Sequence, residues 1–186
     1  MQIQEVNQQI LNCDYCNLTP HIGQLVPGVG PQEAKIMLVG EAPGKQEAQT
    51  GQPFVGNAGK LLNKLMADFL PIPRNQMFIT SIVKYLPPYK TPILTDISHG
   101  QTHLNDQIVA IDPQLIVLLG RSALMGSALG IAGSITQLRG KFISLNRRNY
   151  FITLHPASAL RSNKYLELLK QDFLKLTDYF NSRIIG

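Results

Sequence analysis

Residues Gly40 to Gly59 constrain the fold more than any other part of this chain. An apolar run, Ile36-Met37-Leu38-Val39, leads into Gly40-Glu41-Ala42-Pro43-Gly44, and Gly51-Gln52-Pro53-Phe54-Val55-Gly56-Asn57-Ala58-Gly59 follows. Glycine at this density marks backbone that turns sharply or passes close to another group. A buried strand that opens into a glycine-rich loop and then a helix is the layout of a ligand site at the carboxyl edge of a parallel sheet. Glu41, Glu47 and Phe54 therefore lie where chemistry is expected.

The remaining pattern agrees with that architecture. Strands are expected at Lys35 to Val39, Met77 to Val83, Leu115 to Leu119, Lys141 to Leu145 and Tyr150 to Leu154. Helices are expected at Ile3 to Leu11, Asn57 to Phe69, Thr102 to Ile111, Ser122 to Leu129 and Lys164 to Phe180, with Pro87 to Ser98 irregular. Alternating strands and helices give an α/β class. The expectation is a single domain over residues 1–186, with a central, largely parallel four-stranded sheet flanked by helices.

The chain of 186 residues is long enough to bury a core without disulfide staples. The formal net charge of +5 favours a polyanionic partner, nucleic acid first. Arg139, Lys141, Arg147, Arg148, Arg161 and Lys164 concentrate part of that charge in the last third. No apolar run reaches the length of a membrane span, and the N-terminus carries neither a basic region nor an apolar signal core. A cytoplasmic protein with no membrane role is expected.

Three ordered motifs resemble the uracil-DNA glycosylase superfamily, and within it family 4. The first is the Gly40–Gly59 stretch. The second is Gln107-Ile108, Pro113 and Leu115-Ile116-Val117-Leu118-Leu119-Gly120, and the third is His155-Pro156-Ala157-Ser158-Ala159-Leu160-Arg161. The resemblance covers about Cys13 to Arg161. It implies an enzyme of base excision repair that hydrolyses the N-glycosidic bond of uracil or a related deaminated base in single- or double-stranded DNA, and a monomer is expected. Such an enzyme must extrude the base into a fitted pocket.

The resemblance also implies roles. Phe54 stacks on the base, and Ala42 lies against it. Glu41 orients water or supports the oxocarbenium-like state, with Glu47 as a second catalytic candidate. His155, at a strand end, donates to the uracil O2 as charge builds there. Leu160 wedges into the base stack, and Ser158 and Arg161 bind flanking phosphates. A loop anchor for Phe54, and core packing for Leu160, are the plain structural alternatives.

Two departures from the family stand out. Where family 4 has an Asn that pairs with the base edge, this chain has Ser81, a shorter and less discriminating partner. Where family 4 has four cysteines on an iron–sulfur cluster, this chain has two, Cys13 and Cys16; Tyr85 and Gly100 align with the others. The expectation is therefore no cofactor and two free thiols. Cys13 and Cys16 with His99 and His103 form the alternative, a Cys₂His₂ zinc set. These departures keep a second functional reading open: a catalytically weak relative that binds DNA or an extruded base. A third, a phosphate-binding loop at Gly40–Gly44, lacks the Lys-Ser/Thr pair of a P-loop.

Overall fold

The computed structural model describes residues 1–127 and 129–183. One sheet of five strands runs in the order β2-β1-β3-β5-β4. The strands are β1 (Ile36–Gly40), β2 (Phe78–Ser81), β3 (Leu115–Leu119), β4 (Lys141–Leu145) and β5 (Arg148–Thr153). Strands β2, β1, β3 and β5 are mutually parallel; β4 pairs antiparallel with β5. The four parallel strands match the expected sheet, and β4 adds a fifth at its rim. Asn146 and Arg147 both take positive φ, 51° and 65°, which is the two-residue hairpin geometry that returns β4 directly onto β5.

Each central strand is buried on both faces, as βαβ crossovers require. Alternate residues feed two cores. Met37, Val39, Ile116, Leu118, Tyr150 and Ile152 face one side, against α1 (Ile3–Leu11) and α5 (Leu94–Ile111). Ile36, Leu38, Leu115, Val117 and Phe151 face the other, against α4 (Asn57–Phe69) and α9 (Asn163–Arg183). Between α1 and β1, α2 (Asp14–Leu18) is followed by an extended segment that runs along the outer edge of β2. Val29 and Ile79 exchange both main-chain hydrogen bonds there, at 2.9 and 2.8 Å.

Helix α5 begins earlier than its apolar spacing suggests. Asp96 accepts the Ile93 N–H at 2.9 Å and the Tyr85 hydroxyl at 2.6 Å, so a capping carboxylate draws Leu94 to Gln101 into the helix. Short helices α3 (Lys45–Thr50), α6 (Arg121–Gly126), α7 (Ile135–Leu138) and α8 (Pro156–Ala159) complete the chain. The helix expected over Ser122 to Leu129 ends at Gly126, and Ala128 lies outside the described residues. No helix among the described residues is long and apolar enough to cross a membrane.

On the α9 side, Asp172 is fully buried and binds Arg139 at 2.6 and 3.0 Å and the Thr153 hydroxyl at 2.7 Å. This pair locks the end of β5 to α9. It also removes Arg139 from the basic surface, as Asp112 does Arg148 at 3.0 Å. Arg161 and Lys164 remain exposed.

Candidate active site

Strand order reverses between β1 and β3, because β2 lies on one side of β1 and β3 on the other. Such a switch point leaves a crevice at the carboxyl ends of the strands. A cavity of about 420 Å³ opens there, lined by Glu41 and Ala42 after β1, Ser81 at the end of β2, His155 after β5, and Phe54 and Glu47 from the glycine-rich stretch. The residues expected to meet do meet. The Phe54 and His155 rings stand 5.8 Å apart, tilted by 30°.

Phe54 is held by its backbone. Its φ is +54°, a region that non-glycine residues occupy only when the surroundings impose it. The surroundings are specific. Arg74 donates to the Pro53 carbonyl at 2.7 Å. The ring crosses the end of β1 where Gly40 has no side chain; a β-carbon there would stand 2.6 Å from Phe54 Cζ.

Glu47 is buried and fully engaged. Its carboxylate accepts the Val55, Gly56 and Gly44 N–H groups at 2.9, 2.8 and 3.1 Å. It thus ties α3 to both sides of the loop that carries Phe54. Glu41 instead accepts one side-chain bond, from the Ser122 hydroxyl at 2.5 Å, and lines the cavity.

His155 caps α8. Its Nδ1 accepts the Ala157 N–H at 3.2 Å, which assigns the proton to Nε2 and makes that nitrogen a donor. Burial drives its pKa below the ordinary histidine value, and the nearby Glu41 and Glu47 carboxylates only partly oppose this. The imidazole is neutral at pH 7 and still able to donate. In the following turn the Ser158 hydroxyl donates to the His155 carbonyl at 2.7 Å. Leu160 is 52% exposed and Arg161 is exposed beside it.

Ser81 is buried against the cavity wall, and its carbonyl accepts the ammonium of Lys84 at 2.6 Å. Lys84 is itself buried and donates to the Thr80 hydroxyl and the Gln107 side-chain oxygen, each at 2.8 Å. Gln107 in turn donates to Asn7 and to the Pro27 carbonyl, at 3.0 and 2.8 Å. Burial without a carboxylate partner lowers the Lys84 pKa to about 7. This network behind Ser81, and the Ser122 contact to Glu41, were not anticipated from the sequence. A lysine directly after the buried stretch Phe78 to Val83 was the available signal.

The expectation of no cofactor and two unengaged thiols is overturned. Cys13, Cys16, His99 and His103 bring one donor atom each into a group within 4.8 Å of one another. The positions aligned with the missing cysteines serve otherwise. Tyr85 caps α5 through Asp96, and Gly100 packs on the Ile82 carbonyl, 2.2 Å from where a β-carbon would lie. The early start of α5 is what brings His99 and His103, one turn apart, to face the Cys13–Cys16 turn. Burial, with Lys84 and His99 adding to it, lowers the His103 pKa to about 4, which keeps it in the neutral form that ligates metals. Two thiols and two neutral imidazoles are a donor set for a metal centre. They are not the four thiolates of the family's cluster.

A family described as "Uracil DNA glycosylase superfamily" matches residues 27–180. A type-4 uracil-DNA glycosylase of Sulfurisphaera tokodaii is 37% identical over 184 residues, 95% of this chain and 84% of that protein. The type-4 uracil-DNA glycosylase of Saccharolobus solfataricus is 37% identical over 97% of this chain and 87% of its own length. That of Thermotoga maritima is 35% identical, covering 94% and 92%.

Proposed function

This chain belongs to the uracil-DNA glycosylase superfamily, and from that premise we propose that it excises uracil from DNA by hydrolysing the N-glycosidic bond. The carrying observation is the convergence of Phe54 and His155, 5.8 Å apart, on one cavity at the sheet's switch point. An extruded base enters the cavity beside them, its face on the Phe54 ring and its edge toward His155. Ala42 backs the base, and the Ser81 hydroxyl meets its edge.

As the bond from N1 to the sugar breaks, the electron pair leaves with the base. His155 Nε2–H donates to the uracil oxygen on which that charge collects. A neutral donor suits this step, because it stabilises the anion with no proton lost beforehand. Glu41, oriented by Ser122, faces the positive sugar and the water that adds to it. Glu47, with its oxygens committed to three amides, positions the Phe54 loop. Leu160 fills the gap left in the stack, and Arg161 binds a flanking phosphate, while Ser158 holds the turn that presents them. In this reading one domain spans residues 1–186 and acts as a cytoplasmic monomer on DNA.

A uracil-containing oligonucleotide incubated with the pure protein tests the proposal. Alkali-labile abasic sites are the expected product, and His155→Ala should form them about 10²–10³ times more slowly while keeping its circular dichroism. Binding without abasic sites would reject hydrolysis.

A further inference from the structure

We propose that Cys13, Cys16, His99 and His103 hold a single zinc ion in a tetrahedral Cys₂His₂ site. This rests on the donor geometry and is independent of the catalytic reading. Cys13 Sγ lies 3.3 Å from His99 Nε2, Cys16 Sγ lies 3.4 Å from His103 Nε2, and the two Nε2 atoms are 3.1 Å apart. Ordinary zinc bond lengths at tetrahedral angles put the nitrogens about 3.4 Å apart and each nitrogen about 3.6 Å from a sulfur. These three distances match that figure to within a few tenths of an ångström, and all four donor atoms lie within 4.8 Å of one another. Donors that share one ion crowd together in this way. Donors on a multi-iron cluster bind separate metal atoms and stand farther apart.

The contacts within the group point the same way. Two Nε2 atoms facing each other offer one hydrogen bond at most, and each also faces a sulfur. A cation between them converts four competing lone pairs into four bonds. Both imidazoles use the same nitrogen, as His99 and His103 one turn apart on α5 allow. Tyr15, between the two cysteines, stacks on His99 at 4.0 Å and 26° and fixes that ring.

The ion's effect would reach the cavity. It would fasten the N-terminal segment to α5, and that segment bonds the next stretch of wall: Ile22 N–H to the Leu86 carbonyl at 3.0 Å and Val26 N–H to that of Lys84 at 2.7 Å. Ile22, Val26 and Leu86 all line the cavity.

Elemental analysis of protein purified from zinc- and iron-supplemented medium is the direct test. About one zinc per chain is expected, with no visible absorbance, and cobalt(II) in its place should give the visible bands of a tetrahedral thiolate site. Iron with acid-labile sulfide would overturn the proposal. Protein isolated without metal should take up one equivalent of zinc, and failure to do so would also overturn it. The double variant His99→Ala, His103→Ala should lose the zinc, and retention would reject these ligands. Should that variant not fold, chelation of the wild type serves instead. It should lower Tm and raise KM for a uracil-containing oligonucleotide, both reversed by added zinc, and an unchanged Tm on complete zinc removal would reject the fastening role.

Discussion

A β-carbon on Gly59 would stand 2.0 Å from the carbonyl oxygen of Phe54, so helix α4 touches Phe54, the proposed stacking residue, backbone to backbone. Replacing a helical glycine with alanine ordinarily gains about 1 kcal/mol. At Gly59 the sign should reverse. The added methyl must push Phe54 away, and overpacking of this kind costs about 1–3 kcal/mol. Urea denaturation of Gly59→Ala measures the loss. The same variant should excise uracil more slowly than its residual stability accounts for, because the displaced residue is the one proposed to stack on the base.

Glu47 provides a second prediction. Glu47→Gln retains one acceptor oxygen but turns an amide N–H₂ toward a backbone donor. Hydrogen bonds to a charged group are worth about 1.5–3 kcal/mol, so a stability loss of that order is expected. A positioning role predicts that KM rises more than kcat falls. A kcat collapse with unchanged KM and unchanged stability would instead return Glu47 to the chemistry.

The histidine predicts a pH dependence. The folded-state pKa of His155 lies below its unfolded value. At neutral pH the ring is uncharged in both states and nothing is lost. As pH falls below about 6.5, the unfolded chain takes up a proton that the folded chain refuses, so stability declines until the folded pKa is passed. Urea midpoints measured from pH 7.5 to 5 should show this slope, and His155→Gln should make it shallower, the remainder coming from His99 and His103, whose pKa values burial also lowers. Excision should hold its rate below pH 6.5, because the neutral donor persists there.

Arg139→Ala should be among the most damaging single changes outside the cavity. It strands Asp172, which is fully buried. Breaking such a pair from one side costs about 3–5 kcal/mol. Arg139→Met combined with Asp172→Asn leaves no uncompensated charge and should recover part of the loss. Thermal unfolding of the two variants side by side makes the comparison.

Much of this was legible in the chain. The run Ile36 to Val39 into glycine identified β1 and its site, and His155 was recognisable from an apolar strand ending in His-Pro. What escaped the sequence depends on side chains remote from it. The start of α5 depends on Asp96 receiving a bond from Tyr85, a tertiary event without local periodicity. The i, i+4 spacing of His99 and His103 was legible, but a helix read as starting at Thr102 left His99 just outside it, and free thiols were the leading expectation for Cys13 and Cys16. Gln107 was legible as part of the second motif, but its bond to Lys84 and the burial of both are visible only once α1, β2 and α5 pack together. Glu47 shows a further limit. A carboxylate in a glycine-rich loop suggests chemistry, and only coordinates reveal that three amides occupy it.

The two rims of the sheet differ in what they offer a neighbour. On the β2 side, Val29 already exchanges both bonds with Ile79, so an incoming strand would first have to evict part of the chain's own backbone. On the β4 side the strand is largely exposed and tightly reversed at Asn146-Arg147, with Lys141 at its start. Cations on an outer strand discourage edge-to-edge growth. One rim is thus occupied by the chain's own backbone, and the other carries a cation at one end and a tight reversal at the other, two different obstacles to templated aggregation in one small sheet.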